Sequence, residues 1–581
     1  MPINLLNAPV GTEQPLKPDR SLPSYDEPPP ETHRHISREE EAELALNNTR
    51  FTPGTRAVLI TLFLLTLLAV PALQLATEYR QTHAIAKMPL FDLFKLIPSP
   101  AKLQATRTLA DVDGLIPRAG EIKAAEKALE NESVVSQWLL PRVQSFLTGT
   151  LRAGNEQAIP GRDGWLFYRP DVEYLTGPPF LDPARMKARA RTAGVQPDPV
   201  QAIVAFRNQL ARRGIELVVL PAPVKPGIDG EMLSAQAANA APLQNPSFAE
   251  FLARLNREGV RVFDPEPLLR KRKASGPLYL ETDTHWRPET MEFVAKELAA
   301  FLASNAGPKR QSYHVANQEF AGMGDIAAML KLPAGQTLYK SQKVTLHQVT
   351  SGNALWRQSK DASVLLLGDS FCNIFSLAAM GWGESAGFAE HLSRALGQPL
   401  DCILRNSDAS FATREILSRE LACGRDRLAG KKLVVWEFAA RELAFGNWKP
   451  LEFNLGAPRP SHFFGPKPGE TLTVTGVVES VSPAPRPGSV PYKDHILTVH
   501  LVDINGAPHS TGKDTVQSLV YLWSMRDNVW TKAAHVRPGD RITLRLRAWT
   551  DVAAQYEKIN RSEIADDALL LEEPVWGEWV E

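Results

Sequence analysis

The chain has 581 residues, 44% of them hydrophobic and 22% charged, which excludes a collagen-like or wholly disordered polymer and leaves room for two or more cores. Lys and Arg total 65 and Asp and Glu total 65, so no basic excess, and no basic run interleaved with aromatics, points to nucleic acid.

Residues 1–55 contain LKPDRSLPSYDEPPPETHRHISREEEAELALNN, rich in Pro and charge and poor in aliphatic periodicity, the composition of a disordered tail. Residues 57–77, AVLITLFLLTLLAVPALQLAT, carry no charge over about the 20 residues that a helix needs to cross a bilayer. An anchor over 56–78 is therefore expected. A cleavable signal peptide fits less well, because a long tail precedes the apolar run; Pro71 inside the run is tolerable in a membrane helix. Arg38, Arg50 and Arg56 lie before it and Arg80, Lys87 and Lys95 after it, so basic residues alone do not orient it.

A helical stalk is expected over 79–154, centred on KAAEKALENESVVSQWLLPRVQSFLTGTL with a break at Pro141. GRDGWLFYRPDVEYLTG at 161–177 then gathers four aromatics between turn residues, fit to line a site or seal a core. From Pro197 helical segments alternate with short apolar strands: PDPVQAIVAFRNQLARRG, IELVVLPAP, FAEFLARLNREG, VRVFD, PETMEFVAKELAAFLAS, SVLLLGDS and KKLVVWEF. That alternation predicts one α/β domain over 155–455, built on a parallel sheet covered on both faces. Pro and Gly cluster at 455–470 as in a linker. Beyond it TLTVTGVVESV, HILTVHLVDI, SLVYLWSM and RITLRLRAW predict an all-β domain over 466–581, a small barrel or sandwich. Its Trp523, Trp530 and Trp549 are suited to a core or to stacking on sugar rings.

Cys372, Cys402 and Cys423 show no ligand spacing and cannot all pair; a Cys402–Cys423 bridge and buried thiols both remain open. The twelve histidines form no metal-binding pattern, so no metal and no cofactor is expected.

The apolar run SVLLLGDSFCN halts at Gly368-Asp369-Ser370, where a strand should end and a helix begin. In open α/β sheets ligands bind at the carboxyl ends of the strands, and a serine there can use its own amide to hold an oxyanion. Asp369 and Ser370 are equally good helix caps. On these three residues alone, nucleophile and cap stand level. A serine nucleophile needs a base, and the base an orienting acid. LYLETDTHWRPET supplies Asp283 and His285 just before a helix opened by Pro288. In extended backbone an i, i+2 pair points to one side, which would let Asp283 hold the imidazole while His285 faces the serine.

GDSF at 368–371, DTHW at 283–286 and GRDGWLFY at 161–168 resemble the AlgX/AlgJ family of alginate O-acetyltransferases, over roughly residues 125–450. The resemblance implies an SGNH-hydrolase-like, three-layer α/β/α catalytic domain in which DTH precedes GDS, the reverse of ordinary SGNH esterases. It places the nucleophile on Ser370, the base on His285 and the orienting acid on Asp283. It further implies an extracytoplasmic site, which orients the single-pass inner-membrane anchor expected from the apolar run with its tail inside and the catalytic domain in the periplasm; the tail and anchor themselves depart from a soluble periplasmic AlgX-like protein. In the periplasm the enzyme would take acetyl groups supplied by a membrane-bound O-acyltransferase and pass them to an exported polysaccharide.

Trp165, Phe167, Tyr168 and Trp286 are candidates for excluding water or stacking on the sugar; Arg441, Asn447 and Lys225 follow strands and are candidates for an oxyanion donor or substrate clamp. A carbohydrate esterase with the same triad, and a non-catalytic polysaccharide-binding protein, are the competing readings.

Overall fold

The computed structural model describes residues 52–82, 133–239, 243–303, 311–352, 354–458, 461–485, 490–507, 515–564 and 569–580, with isolated positions between them. Apart from residues 37 and 52–55, the expected disordered tail lies outside these, as do residues 83–121 of the expected stalk. Two compact units, 1–135 and 136–581, divide the chain.

In the first unit Pro53–Thr82 is one helix, and its part Pro53–Arg80 is long and apolar enough to cross a membrane. Its Leu, Val and Phe side chains are exposed, and Pro71 lies within it. The stalk expectation is modified at Pro141: the helix Val134–Leu151 runs through the proline rather than breaking there, at the loss of one backbone donor.

The second unit contains a five-stranded parallel sheet made of β1 (Glu216–Ala222), β2 (Arg261–Val262), β3 (Val364–Gly368), β4 (Asp401–Leu404) and β5 (Leu433–Ala439), in the order β2-β1-β5-β3-β4. Side chains alternate between two cores. Val218, Leu220, Leu366 and Val435 meet α3 (Pro288–Leu302) and α5 (Phe388–Leu396) on one face. Leu217, Val219, Leu365, Leu367 and Trp436 meet α1 (Pro199–Ala211), α2 (Phe248–Arg257) and α6 (Ala412–Ala422) on the other. Every residue of β3 is buried, so truncating one of its leucines to Ala costs about 2–5 kcal/mol. The order delivers the carboxyl ends of β1, β3 and β5 side by side, at the mouth where such sheets bind ligands. α4 (Ser370–Asn373) begins there, directly after β3.

The strand DCIL and a three-stranded antiparallel sheet, His314–Gly322, Gln342–Ser351 and Ala354–Leu355, are additions that the alternation did not show. Among the described residues Cys372, Cys402 and Cys423 are all free thiols.

Beyond residue 460 five strands close on themselves: β6 (Thr471–Val481), β7 (His495–Asn505), β8 (Thr515–Arg526), β9 (Arg541–Ala548) and β10 (Val575–Trp579). β6 pairs with β7, β7 with β8, β8 with β10, β10 with β9 and β9 back to β6, with β8 and β10 parallel and the other pairs antiparallel. This is a barrel, not a sandwich, and its circular order 1-2-3-5-4 is the connectivity of an OB-fold. Lys360 pairs with Glu479 and Arg425 with Asp503 (2.8 Å), tying the barrel to the α/β layer.

Candidate active site

Ser370 opens α4. Asp369 caps it, its Oδ1 accepting the Phe371 N–H at 2.8 Å and its Oδ2 the Ala439 N–H at 2.9 Å. Gly368 is required by close approach: a Cβ there would lie 2.5 Å from Cys372 Sγ and 3.1 Å from Glu437 Oε2. Glu437 accepts the Asp369 N–H at 2.8 Å and the Cys372 thiol at 3.2 Å. Burial and the adjacent Asp369 charge push its pKa well above the ordinary carboxylate value.

His285 Nε2 lies 2.8 Å from Ser370 Oγ, and His285 Nδ1 lies 2.7 Å from Asp283 Oδ1. Asp283 and His285 are both almost fully buried. The pair does not sit in extended backbone. It occupies a bend closed by the Leu280 N–H to His285 O bond, and Asp283 Oδ1 also accepts the His285 N–H at 3.0 Å, an Asx-type turn. That turn, rather than strand alternation, puts the carboxylate beside the ring.

Three residues that sequence reasoning missed complete the arrangement. Trp382 Nε1 donates to Asp283 Oδ2 at 2.9 Å, and the Asp325 N–H donates to the same oxygen at 3.0 Å. Asp325 in turn accepts from the Thr284 N–H and hydroxyl. The third, Asp171, is fully buried and accepts from Arg441 Nη1 at 3.0 Å. Burial alone would raise the pKa of Asp283, but the hydrogen bond and charge of His285 and the donors Asp325 and Trp382 outweigh it and hold the pKa down. Burial alone would lower that of His285; Asp283 reverses the effect and raises it. Asp283, His285 and Asp325 bring possible ligand atoms within 4.8 Å of one another. The Asp283 oxygens are already taken by four donors, which is the chemistry of a held imidazole.

The remaining candidates separate. Arg441 is at the site, its guanidinium 5.3 Å from the Tyr168 ring centroid and 5.9 Å from that of Phe371. Half-buried Tyr168 shares this edge. Lys225 lies beneath the site, not in it: fully buried, its Nζ donates to the carbonyls of Leu166 (2.6 Å), Glu281 (2.8 Å) and Asp283 (3.0 Å). Two of these bonds hold the 281–283 segment that carries Asp283 and the third holds Leu166, so its hydrogen bonds go to backbone carbonyls, while burial pushes its pKa down to about 7. Trp165 and Phe167 are buried against that ammonium at 4.8 and 5.0 Å, and Trp286 is buried with its Nε1 on the Phe371 carbonyl at 3.2 Å. These rings shape the floor and do not reach a sugar. Asn447 is outside the site, bonded to the Gln196 N–H and the Gly194 carbonyl.

With this geometry in place, residues 158–440 match the family described as SGNH hydrolase-like domain, acetyltransferase AlgX. This segment is an AlgX-type SGNH hydrolase-like domain. Relatives include the probable alginate O-acetylase AlgJ of Pseudomonas aeruginosa, 28% identical over 298 residues, covering 50% of this chain and 71% of that one. The probable alginate O-acetylase AlgJ of Pseudomonas syringae pv. tomato is 26% identical over 306 residues, covering 51% and 71%. Among solved structures, the O-acetyltransferase domain of Pseudomonas putida AlgJ aligns at 20% identity with a TM-score of 0.39, covering 50% of this chain and 93% of that one. The AlgX-type match ends before the barrel begins.

Proposed function

We propose that the chain is an O-acetyltransferase that passes acetyl groups through a Ser370 ester to hydroxyls of an exported polysaccharide, alginate or an alginate-like polymer. The observation that carries this reading is the unbroken chain of contacts Asp283–His285–Ser370, at 2.7 and 2.8 Å, at the carboxyl end of a parallel sheet. Ser370 Oγ attacks the donor acetyl carbonyl while His285 Nε2 takes its proton and delivers it to the departing group. Asp283 holds the ring with Nδ1 protonated and stabilises the imidazolium. The backbone amide of Ser370 faces the developing oxyanion, with the Arg441 charge nearby. In the second half His285 deprotonates a sugar hydroxyl, which attacks the serine ester and frees Ser370.

In this reading residues 1–55 form a cytoplasmic tail and 56–78 an inner-membrane anchor. Residues 79–154 form a stalk, 155–455 a periplasmic catalytic domain and 466–581 the barrel. A membrane-bound O-acyltransferase supplies the acetyl group. The purified protein, given an activated acetyl ester and mannuronate oligosaccharides, is expected to yield O-acetylated sugar; release of acetate alone would make it an esterase.

A further inference from the structure

The helix Val134–Leu151 is inside out. Its buried side chains are polar: Gln144 Nε2 donates to Thr148 Oγ1 at 2.9 Å, and the Thr148 hydroxyl donates to the Ala153 carbonyl at 3.1 Å. Its large apolar side chains face the other way. Trp138 and Phe146 are each 59% exposed and Leu151 is 60% exposed, with Leu139, Leu140 and Val143 open beside them. Leu139, Val143 and Phe146 follow one another at helical i+4 and i+3 spacing, so they form a row. Leu338, itself exposed, approaches to 3.3 Å of where a Gly149 Cβ would stand and widens the surface.

An apolar face this continuous marks an interaction surface. Three observations name lipid as what covers it. Within the first unit the Val134 N–H donates to Gln74 Oε1 at 2.8 Å, so the helix begins against the carboxyl-terminal part of the helix that is long and apolar enough to cross a membrane. Residues 134–152 carry Arg142 and Arg152 and no acid, which suits an anionic headgroup layer. The one charge on the open face, Arg142, lies with its guanidinium 4.5 Å from the Trp138 ring centroid. An aromatic ring beside a long basic side chain that can reach water is the pairing found where a helix lies along a membrane surface.

We propose that the helix Val134–Leu151 lies in the headgroup region of the bilayer with its Trp138, Leu139 and Phe146 side chains in lipid, a second membrane contact that seats the catalytic domain on the membrane. The proposal rests on the reading of residues 56–78 as a membrane anchor. The chain after this helix joins the support of the triad. Asn155 Nδ2 donates to the Met329 carbonyl at 2.8 Å, and Ala158 and Leu166 share a core with Ile326 and Ala327 of the helix Asp325–Met329. The first residue of that helix holds Asp283 through its N–H. A domain seated through this face therefore presents Ser370 at a fixed height above the lipid, on the side from which a membrane-bound supplier would deliver the acetyl group.

Nitroxide labels are attached to Leu139→Cys and Phe146→Cys, and to Leu64→Cys as a marker of the span, in the full-length protein in nanodiscs of phosphatidylethanolamine and phosphatidylglycerol. Cys372 and Cys402 are buried, and the unsubstituted protein taken through the same labelling corrects for Cys423. Electron paramagnetic resonance then compares relaxation by oxygen, which concentrates in lipid, with relaxation by a water-soluble nickel chelate. Oxygen is expected to dominate at Leu139 and Phe146 as it does at Leu64, the reverse of the order in water. Nickel-dominated relaxation at Leu139 or Phe146 puts the face in water, and shielding from both reagents there shows that protein covers it, a second copy or another segment of this chain. Either result overturns the proposal. With oxygen still dominant at Leu64 it fails alone; nickel dominating at Leu64 as well would overturn the anchor reading too.

Discussion

Trp382 donates its indole N–H to Asp283 Oδ2 at 2.9 Å across 99 residues of sequence. The bond holds the carboxylate from the side opposite His285, so the acid's orientation depends on a loop far from the DTH segment.

Replacing Trp382 with Phe removes that donor and keeps most of the ring volume. One charge-assisted bond of about 1.5–3 kcal/mol is lost, and kcat/KM is expected to fall roughly tenfold or more. With one donor fewer, the carboxylate acts more strongly on His285, so the ascending limb of the pH–rate profile should move to higher pH. An unchanged limb and an unchanged rate would show the indole to be mere packing.

The pH dependence has a definite sign. His285 must be neutral to accept the serine proton, and its pKa lies above the ordinary 6.5 because Asp283 outweighs the effect of burial. Activity should therefore rise with pH through a midpoint above 6.5. Stability runs the other way. The contribution from the raised pKa is fully present below the unfolded value and is lost as pH rises through the folded one. In Asp283→Asn burial dominates, and the midpoint should drop below 6.5 while kcat falls roughly 10⁴-fold. Rates of p-nitrophenyl acetate hydrolysis from about pH 5 to 9 check both.

Lys225→Met leaves three carbonyls without their shared donor. Each orphaned acceptor costs about 1–3 kcal/mol, and a loss of even 3 kcal/mol lowers the thermal midpoint of a unit this size by roughly 3–5 °C. The Asp283 loop should loosen with it, lowering kcat. A variant with an unaltered midpoint would contradict the supporting role assigned to this lysine.

Gly368→Ala should displace the turn, because its Cβ would collide with Cys372 Sγ at 2.5 Å. Cys372→Ala removes the colliding atom. The double variant is accordingly expected to recover part of the activity that Gly368→Ala loses, and a purely additive pair in kcat/KM would rule the collision out.

Four of the five sheet strands, all but DCIL, and the proximity of Asp283, His285 and Ser370 were legible because each rests on local pattern: an apolar run ended by a cap, and an acid two residues before a histidine. The support around them was not. Trp382 and Asp325 reach Asp283 from segments 99 and 42 residues away, and nothing in their local spacing marks them. Lys225 reads in sequence as a polar residue after a strand, yet the chain buries it because three carbonyls of the 166 and 281–283 segments converge there. The OB-like order hinges on β8 pairing in parallel with β10, a contact across more than fifty residues that strand periodicity does not encode.

The central claim is a covalent acetyl group on Ser370. Intact-protein and peptide mass spectrometry after brief exposure to p-nitrophenyl acetate should show one acetyl adduct on the peptide containing GDSFCN. It should be absent in Ser370→Ala and discharged when a mannuronate oligosaccharide is added. An adduct that persists in Ser370→Ala, or a wild type that never acetylates at Ser370, would contradict the account.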